Sequence, residues 1–285
     1  MIAVIGSKGQ LGRAVLEAAA SRGIPFVAAD RDTVDASDRE SVAAFLADHP
    51  ADCIINCAAY TAVDAAEDHP AEAYAANAMA PWVLAQTGLP VIHVSTDYVF
   101  DGNGTSPYAA DAPCHPVSVY GLTKRAGETA LLESGACGVI VRTAWVYSSR
   151  PGTRNFFHTI RRLASEREEI NVVADQVGAP TLAEDLAEAL LTLLERREHL
   201  KPMHLLHFTN SGSCSWHEFA SEIVRGAGTA CRVNPIPTSG YPTRAKRPAY
   251  SVLSLEEIRR EAGIAPRHWL EALRDAESRT HTDSE

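Results

Sequence analysis

Tyr120 and Lys124 stand four residues apart in Tyr120-Gly-Leu-Thr-Lys124, downstream of an apolar run that ends in Ser95-Thr96-Asp97. On a helix, residues i and i+4 share a face, so the phenol and the ammonium are neighbours. Such a pair can pass a proton to or from an alcohol or ketone. A free tyrosine has a pKa near ~10, too high for ready exchange at neutral pH, and an adjacent ammonium lowers it by favouring the phenolate. Thr96, at the carboxyl end of its strand, is placed to donate to a carbonyl oxygen. A Y-x-x-x-K match alone is common by chance, and its meaning depends on the elements around it.

The chain opens with the apolar run Ile2-Ala-Val-Ile5 and then reads Gly6-Ser-Lys-Gly9-Gln10-Leu11-Gly12. A glycine-rich turn between a strand and a helix lets the backbone approach a pyrophosphate, and the helix N-terminus offers free N–H groups to the anion. This spacing, G-x-x-G-x-x-G, is the form of the extended short-chain dehydrogenases. The second strand is expected to end at Asp30-Arg31. An acid there binds ribose hydroxyls and favours NAD, whereas an arginine grips a 2′-phosphate and favours NADP. Both are present, so NADPH is expected, with NADH possible. Asp35 is a further candidate near the adenine, or a solvated loop acid. After the third strand, Ala58 and Ala59 would let the backbone run close to the cofactor, and Tyr60 and Thr61 could line the nicotinamide side. Tyr120 and Lys124 would face the same cofactor, the lysine reaching its ribose. A bound nicotinamide and a placed proton donor together imply carbonyl reduction.

The elements that must position these residues follow from apolar periodicity. Strands are expected at Ile2–Ile5, Phe26–Ala29, Cys53–Cys57, Val91–Ser95 and Val139–Arg142. Helices are expected at Gln10–Ser21, Glu40–Asp48, Ala71–Gln86 and Ser118–Glu133. Strands that are apolar throughout and alternate with helices imply a doubly wound parallel sheet of the Rossmann type. Residues 1–150 read as the dinucleotide-binding domain. Residues 151–277 read as a smaller substrate-binding lobe interleaved with it, and the polar residues 278–285 as a disordered tail.

In the second half, Trp145 of Arg142-Thr-Ala-Trp-Val-Tyr147 could pack on a sugar or base, and Asn155 could bond a phosphate or sugar. Asp175-Gln-Val-Gly-Ala-Pro-Thr181 is a polar turn, either functional or a helix entry with Thr181 as N-cap. Arg244, Lys246 and Arg247 form a basic cluster, either solvated or aimed at a diphosphate. Arg247, beside Pro248, is the first choice among them, because arginine can donate two parallel bonds to phosphate.

The chain has 285 residues and a formal net charge of −10, which disfavours nucleic acid and anionic membranes as partners. No run approaches the ~20 apolar residues of a membrane span. The six cysteines form no C-x-x-C pair and have no zinc-ligand spacing, so free thiols in a reducing, cytoplasmic setting are expected and no metal site is assigned. The chain enters its first strand at once, which leaves no room for a signal peptide.

Taken in order, GSKGQLG, CAAYTAVDAAE, STDYVFDG, VYGLTKRAGE, RTAWVY, NF, DQVGAPT and Lys246-Arg247-Pro248 resemble the dTDP-4-dehydrorhamnose reductase family over about residues 1–275. The resemblance implies NAD(P)H-dependent reduction at C4 of dTDP-4-dehydro-L-rhamnose for cell-surface polysaccharide. It implies that Thr96, Tyr120 and Lys124 are catalytic. It places Asp97, Tyr98 and Trp145 near the sugar. Ser148-Ser-Arg-Pro151 departs from the small residue that often follows WVY in the family, so the substrate loop is expected to differ in shape. Some relatives dimerise, so a homodimer is possible. Two other readings stay open, a nucleotide-sugar epimerase or dehydratase and a non-catalytic dinucleotide-binding subunit. A dehydratase would want two acids beside the strand hydroxyl, and only Asp97 is there.

Overall fold

The structure is a computed structural model that describes residues 1–196, 200 and 202–282, with side chains up to residue 280. In the first half, strands β1 (Ile2–Ile5), β2 (Phe26–Ala29), β3 (Cys53–Asn56), β4 (Val91–Thr96) and β5 (Gly138–Thr143) alternate with helices. These are α1 (Gln10–Ser21), α2 (Arg39–Asp48), the short α3 (Val63–Asp68), α4 (Pro70–Tyr74) and α5 (Ala80–Ala85), and α6 (Val119–Glu133). The second half runs β6 (Val146–Tyr147), α7 (Phe156–Glu166), β7 (Glu169–Val173), β8 (Val177–Gly178), β9 (Thr181–Leu182) and α8 (Ala183–Glu195). It continues with β10 (His204–His207), β11 (Cys214–Ser215), α9 (Trp216–Gly226), β12 (Arg232–Ile236), α10 (Glu256–Ala262) and α11 (Trp269–Thr282).

Six strands form one parallel sheet in the order β10-β5-β4-β3-β1-β2. The sheet is apolar on both faces because both are covered. Val15 and Ala19 of α1 pack with Leu186 and Leu190 of α8 on one face. Phe45 of α2, Leu84 of α5 and Leu131 of α6 cover the other. Chain order reverses between β1 and β3, and the crevice at the carboxyl ends of such a pair is where ligands of these sheets bind.

The two halves are interleaved. Strand β10 completes the central sheet, and α8 and α10 join its core. The rest of the second half builds a separate core from Phe157, Ile160, Phe219, Ile223, Trp269 and Leu273 on α7, α9 and α11.

Three local expectations are corrected. The single helix expected over Ala71–Gln86 is broken into α4, a π-helical turn at Ala75–Met79, and α5, which carries Pro81 in its first turn. Residues 278–282, expected to be a disordered tail, continue α11; 283–285 of that tail lie outside the described residues. Thr181 is not an N-cap. It lies in β9, Leu182 takes the cap position without a side-chain bond, and Asn210 Oδ1 accepts the Leu182 N–H at 2.8 Å.

Candidate active site

Strand β4 carries Thr96 to the carboxyl edge of the sheet, and α6 lays Tyr120 and Lys124 beside it. Helix α6 starts where Ser118 Oγ accepts the Gly121 N–H at 3.1 Å. Tyr120 is packed among Ala66, Ala73, Tyr60, Val63 and Tyr98. Its ring meets Tyr98 edge to face, with centroids 5.4 Å apart. Burial holds the Tyr120 phenol above its ordinary pKa, against a downward pull from Thr96. The expected lowering by the Lys124 ammonium is not found: burial is the largest influence on the phenol, and the downward pull comes from Thr96. Burial therefore favours the protonated phenol, the form that could donate a proton.

Lys124 is 1% exposed. Its Nζ donates to the Val94 carbonyl at 2.7 Å and lies 3.3 Å from His93 Nε2. Burial pulls its pKa down to about 8, while Glu128 and Cys57 push the other way. Thr96 Oγ1 donates to Asp97 Oδ1 at 3.0 Å and accepts the Tyr98 N–H at 3.2 Å. Burial raises Asp97 to about 6, opposed by Ser251 and Thr96.

Asn77, absent from the sequence reading, ties these parts together. It lies in the π turn and is fully buried. Its Oδ1 accepts the Tyr60 N–H at 2.8 Å, and its Nδ2 donates to Tyr60 O and to Thr123 Oγ1 of α6. One amide thus fixes the Ala58–Tyr60 segment against the helix that carries Tyr120 and Lys124. Such π turns recur at functional sites. Pro81 was the available sequence signal that the helix could not be continuous.

At the opposite side of the crevice, Gly6 has φ +82° and a Cβ there would lie 2.6 Å from the Ala58 nitrogen. Only glycine permits β1 and β3 to deliver their loops this close. Helix α1 begins at Gly9 with no side-chain cap, so its first-turn amides are not claimed by a capping residue. This cradle fits a dinucleotide pyrophosphate at Gly6, Gly9, Leu11 and Gly12. Gln10 instead spans the two halves: Nε2 donates to Val146 O at 3.0 Å and Oε1 accepts from Asn155 at 3.2 Å. Asp30 directly follows β2 and pairs with Lys8 at 3.0 Å, while Arg31 is exposed beside it. Asp35 accepts from the Ser37 N–H and hydroxyl in its own turn.

On the substrate side, Trp145 has φ +49°, a left-handed backbone that costs a non-glycine residue about 1–3 kcal/mol. Its ring stacks on Trp216 of α9 at 3.5 Å, and a Cβ on Gly178 would lie 2.5 Å from it. Trp216 was not identified from sequence, where a single tryptophan in an amphipathic helix reads as core. Arg247 donates to the Tyr98 hydroxyl at 3.0 Å and to Asp64 at 2.5 Å, and Arg244 pairs with Asp68. Lys246 is exposed. Asn155 is engaged structurally: Oδ1 caps α7 through the His158 N–H, and Nδ2 also donates to Ser148 O at 2.8 Å.

A doubly wound parallel sheet, a glycine turn at its switch point and a Tyr/Lys pair at its carboxyl edge define a short-chain dehydrogenase/reductase. Within that class the chain belongs to the family described as RmlD substrate binding domain, which matches residues 1–281. It is 42% identical over 289 residues to a dTDP-4-dehydrorhamnose reductase of Burkholderia thailandensis, covering 95% of this chain and 96% of that one. The crystal structure of a dTDP-4-dehydrorhamnose reductase from Clostridium acetobutylicum is similar at TM-score 0.93 and 35% identity, covering 98% and 99% of the two chains. That of Bacillus anthracis, in complex with NADP, is similar at TM-score 0.88 and 33% identity, covering 99% and 98%. No helix among the described residues is long and apolar enough to cross a membrane.

Proposed function

We propose that the chain reduces the C4 keto group of dTDP-4-dehydro-L-rhamnose to give dTDP-L-rhamnose for polysaccharide biosynthesis, with NADPH as the preferred cofactor and NADH accepted. The observation that carries this reading is a buried Tyr120 against Thr96, with Lys124 one turn further along the same helix, in a chain of this family.

When bound, the nicotinamide supplies the hydride to C4. Thr96 would orient the carbonyl by turning its one hydroxyl proton from Asp97 Oδ1 to the carbonyl oxygen, and Tyr120 delivers its proton to that oxygen as charge develops there. Lys124, fixed by Val94 O, would supply positive charge toward the new phenolate and would hold the nicotinamide ribose. Gly6, Gly9, Gln10, Leu11, Gly12, Asp30, Arg31, Asp35 and Ala58–Tyr60 form the cofactor side. Asp97, Tyr98, Trp145, Asn155 and Arg247 form the substrate side, with Asn155 acting through the loop it caps. Residues 151–277 act chiefly as the sugar-nucleotide half. The same reading places the enzyme in the cytoplasm; the homodimer that the family resemblance allows is to be checked by sedimentation.

The test is consumption of NADPH with dTDP-4-dehydrorhamnose generated in situ, with product stereochemistry read by NMR. Stoichiometric formation of dTDP-L-rhamnose is expected. Turnover of other 4-keto sugar nucleotides but not this one would reassign the substrate.

A further inference from the structure

Among the described residues, His93 is the imidazole that lies against Lys124, and the reaction as described does not use it. It lies in β4, fully buried, with Nε2 3.3 Å from Lys124 Nζ and Nδ1 3.1 Å from Asn56 Nδ2. The orientation of Asn56 is fixed independently, because its Oδ1 accepts the Ala58 N–H at 3.1 Å. Its NH₂ group must therefore face His93, and His93 Nδ1 must accept. A neutral imidazole carries one proton, so that proton sits on Nε2 and points at Lys124.

We propose that His93, locked in the Nε2–H tautomer by Asn56, is the positioning residue that sets the protonation state of Lys124. An Nε2–H donor meets a free amine favourably and an ammonium unfavourably. The amine can accept from His93 while still donating to Val94 O. His93 cannot escape by taking a second proton, since burial and Lys124 hold it neutral well below its ordinary pKa. The other groups facing Lys124 are Glu128 on its own helix, which favours the ammonium, and Cys57 at the end of β3. Burial leaves the Cys57 thiol protonated, with a pKa of about 12. Arg142 of β5 reaches the lysine only through Glu128.

The consequence for turnover is a proton supply. After Tyr120 gives its proton to the C4 oxygen it is a phenolate. Lys124 as ammonium releases one proton toward that phenolate and becomes the amine that His93 stabilises, and solvent then returns one proton to Lys124. Without His93 the ammonium would keep its proton more tightly. This rests on the reading of Tyr120 and Lys124 as the proton-transfer pair.

The tautomer can be read in the unaltered protein by long-range ¹⁵N–¹H correlation of labelled histidines, assigned with His93→Gln. The Nε2–H form is expected, and an Nδ1–H form would overturn the proposal. The second readout is the pH dependence of the NADPH Kd and of kcat. His93→Leu and Asn56→Ala should each move the alkaline break up by about one unit, a tenfold change in proton affinity. His93→Gln, which keeps an N–H donor, should restore it. A break that stays at the parental pH in a variant that melts cooperatively would sink the proposal. Lys124→Met with undiminished turnover would instead sink the proton-pair reading beneath it.

Discussion

Glu128 and Arg142 meet in a two-pronged pair, at 2.7 Å and 2.8 Å, with neither side chain more than 1% exposed. Ser95 and Arg125 complete the shell of Glu128, while Arg142 donates to Ala110 O and lies over the Phe100 ring. This knot joins α6, which carries Tyr120 and Lys124, to β4 and β5. Removing one partner strands a buried charge. Arg142→Met is expected to cost about 3–5 kcal/mol, read by urea unfolding. Burial alone would raise the Glu128 carboxyl, but Arg142, Ser95 and Arg125 bring it below its ordinary 4.5. A lowered native value means that the stabilisation is complete above the ordinary, unfolded-state value of 4.5 and is lost as pH falls from there through the native value. Stability should therefore be flat near neutrality and decline in acid, and the decline should be shallower in a Glu128→Gln variant.

Tyr120→Phe removes the hydroxyl while keeping the ring among Tyr60, Val63 and Tyr98. Turnover should collapse while NADPH still binds, as measured by fluorescence. A rate within about tenfold of the parent, or 1.4 kcal/mol in barrier, would mean that another acid serves.

Cofactor choice is expected to turn on Arg31. Asp30 is already paired with Lys8, and Arg31 is free to meet a 2′-phosphate. Arg31→Ala should weaken NADPH much more than NADH in paired titrations. Equal losses would show that the guanidinium does not read the 2′-phosphate.

Trp145 is expected to contact the sugar through a ring seated between Trp216 and Gly178. Trp216→Ala and Gly178→Ala each disturb that seat. Each should raise KM for the nucleotide sugar by about tenfold, near 1.4 kcal/mol, and leave the Kd of NADPH unchanged. Both should also lose the exciton couplet that stacked indoles give in far-ultraviolet circular dichroism. A lost couplet with an unchanged KM would remove Trp145 from the substrate site.

The sheet and its glycine turn were legible because their causes are local. An apolar run, a glycine at the turn and an amphipathic helix repeat along residues 1–143. Tyr120, Lys124 and Thr96 were found because one spacing rule and one strand end bring them together. Asn77 was hidden because an alanine-rich stretch reads as unbroken helix, and its role depends on a π turn that only packing against Tyr60 and Thr123 explains. Glu128 and Arg142 are paired across fourteen positions, although an arginine inside the apolar run of β5 was a clue. Arg247 and Asn155 were singled out as candidate ligands of the diphosphate or sugar, yet sequence could not reveal that Asp64, Tyr98 and Ser148 already engage them.

The turn at Ala75–Met79 holds more chain than an ordinary α-helical turn would. Deleting Ala76 would let α4 run into α5 as one regular helix, a locally simpler backbone. The same cut would rotate the preceding residues by about 100° against the following ones, since each residue takes that share of a turn. The bonds that Asn77 makes to Tyr60 and Thr123 could not all survive. A single-codon loss is thus expected to leave a cooperatively melting protein with the catalytic crevice out of register. Regularity and chemistry pull this segment in opposite directions, and its irregularity marks where the genetic tolerance of the fold exceeds that of the reaction.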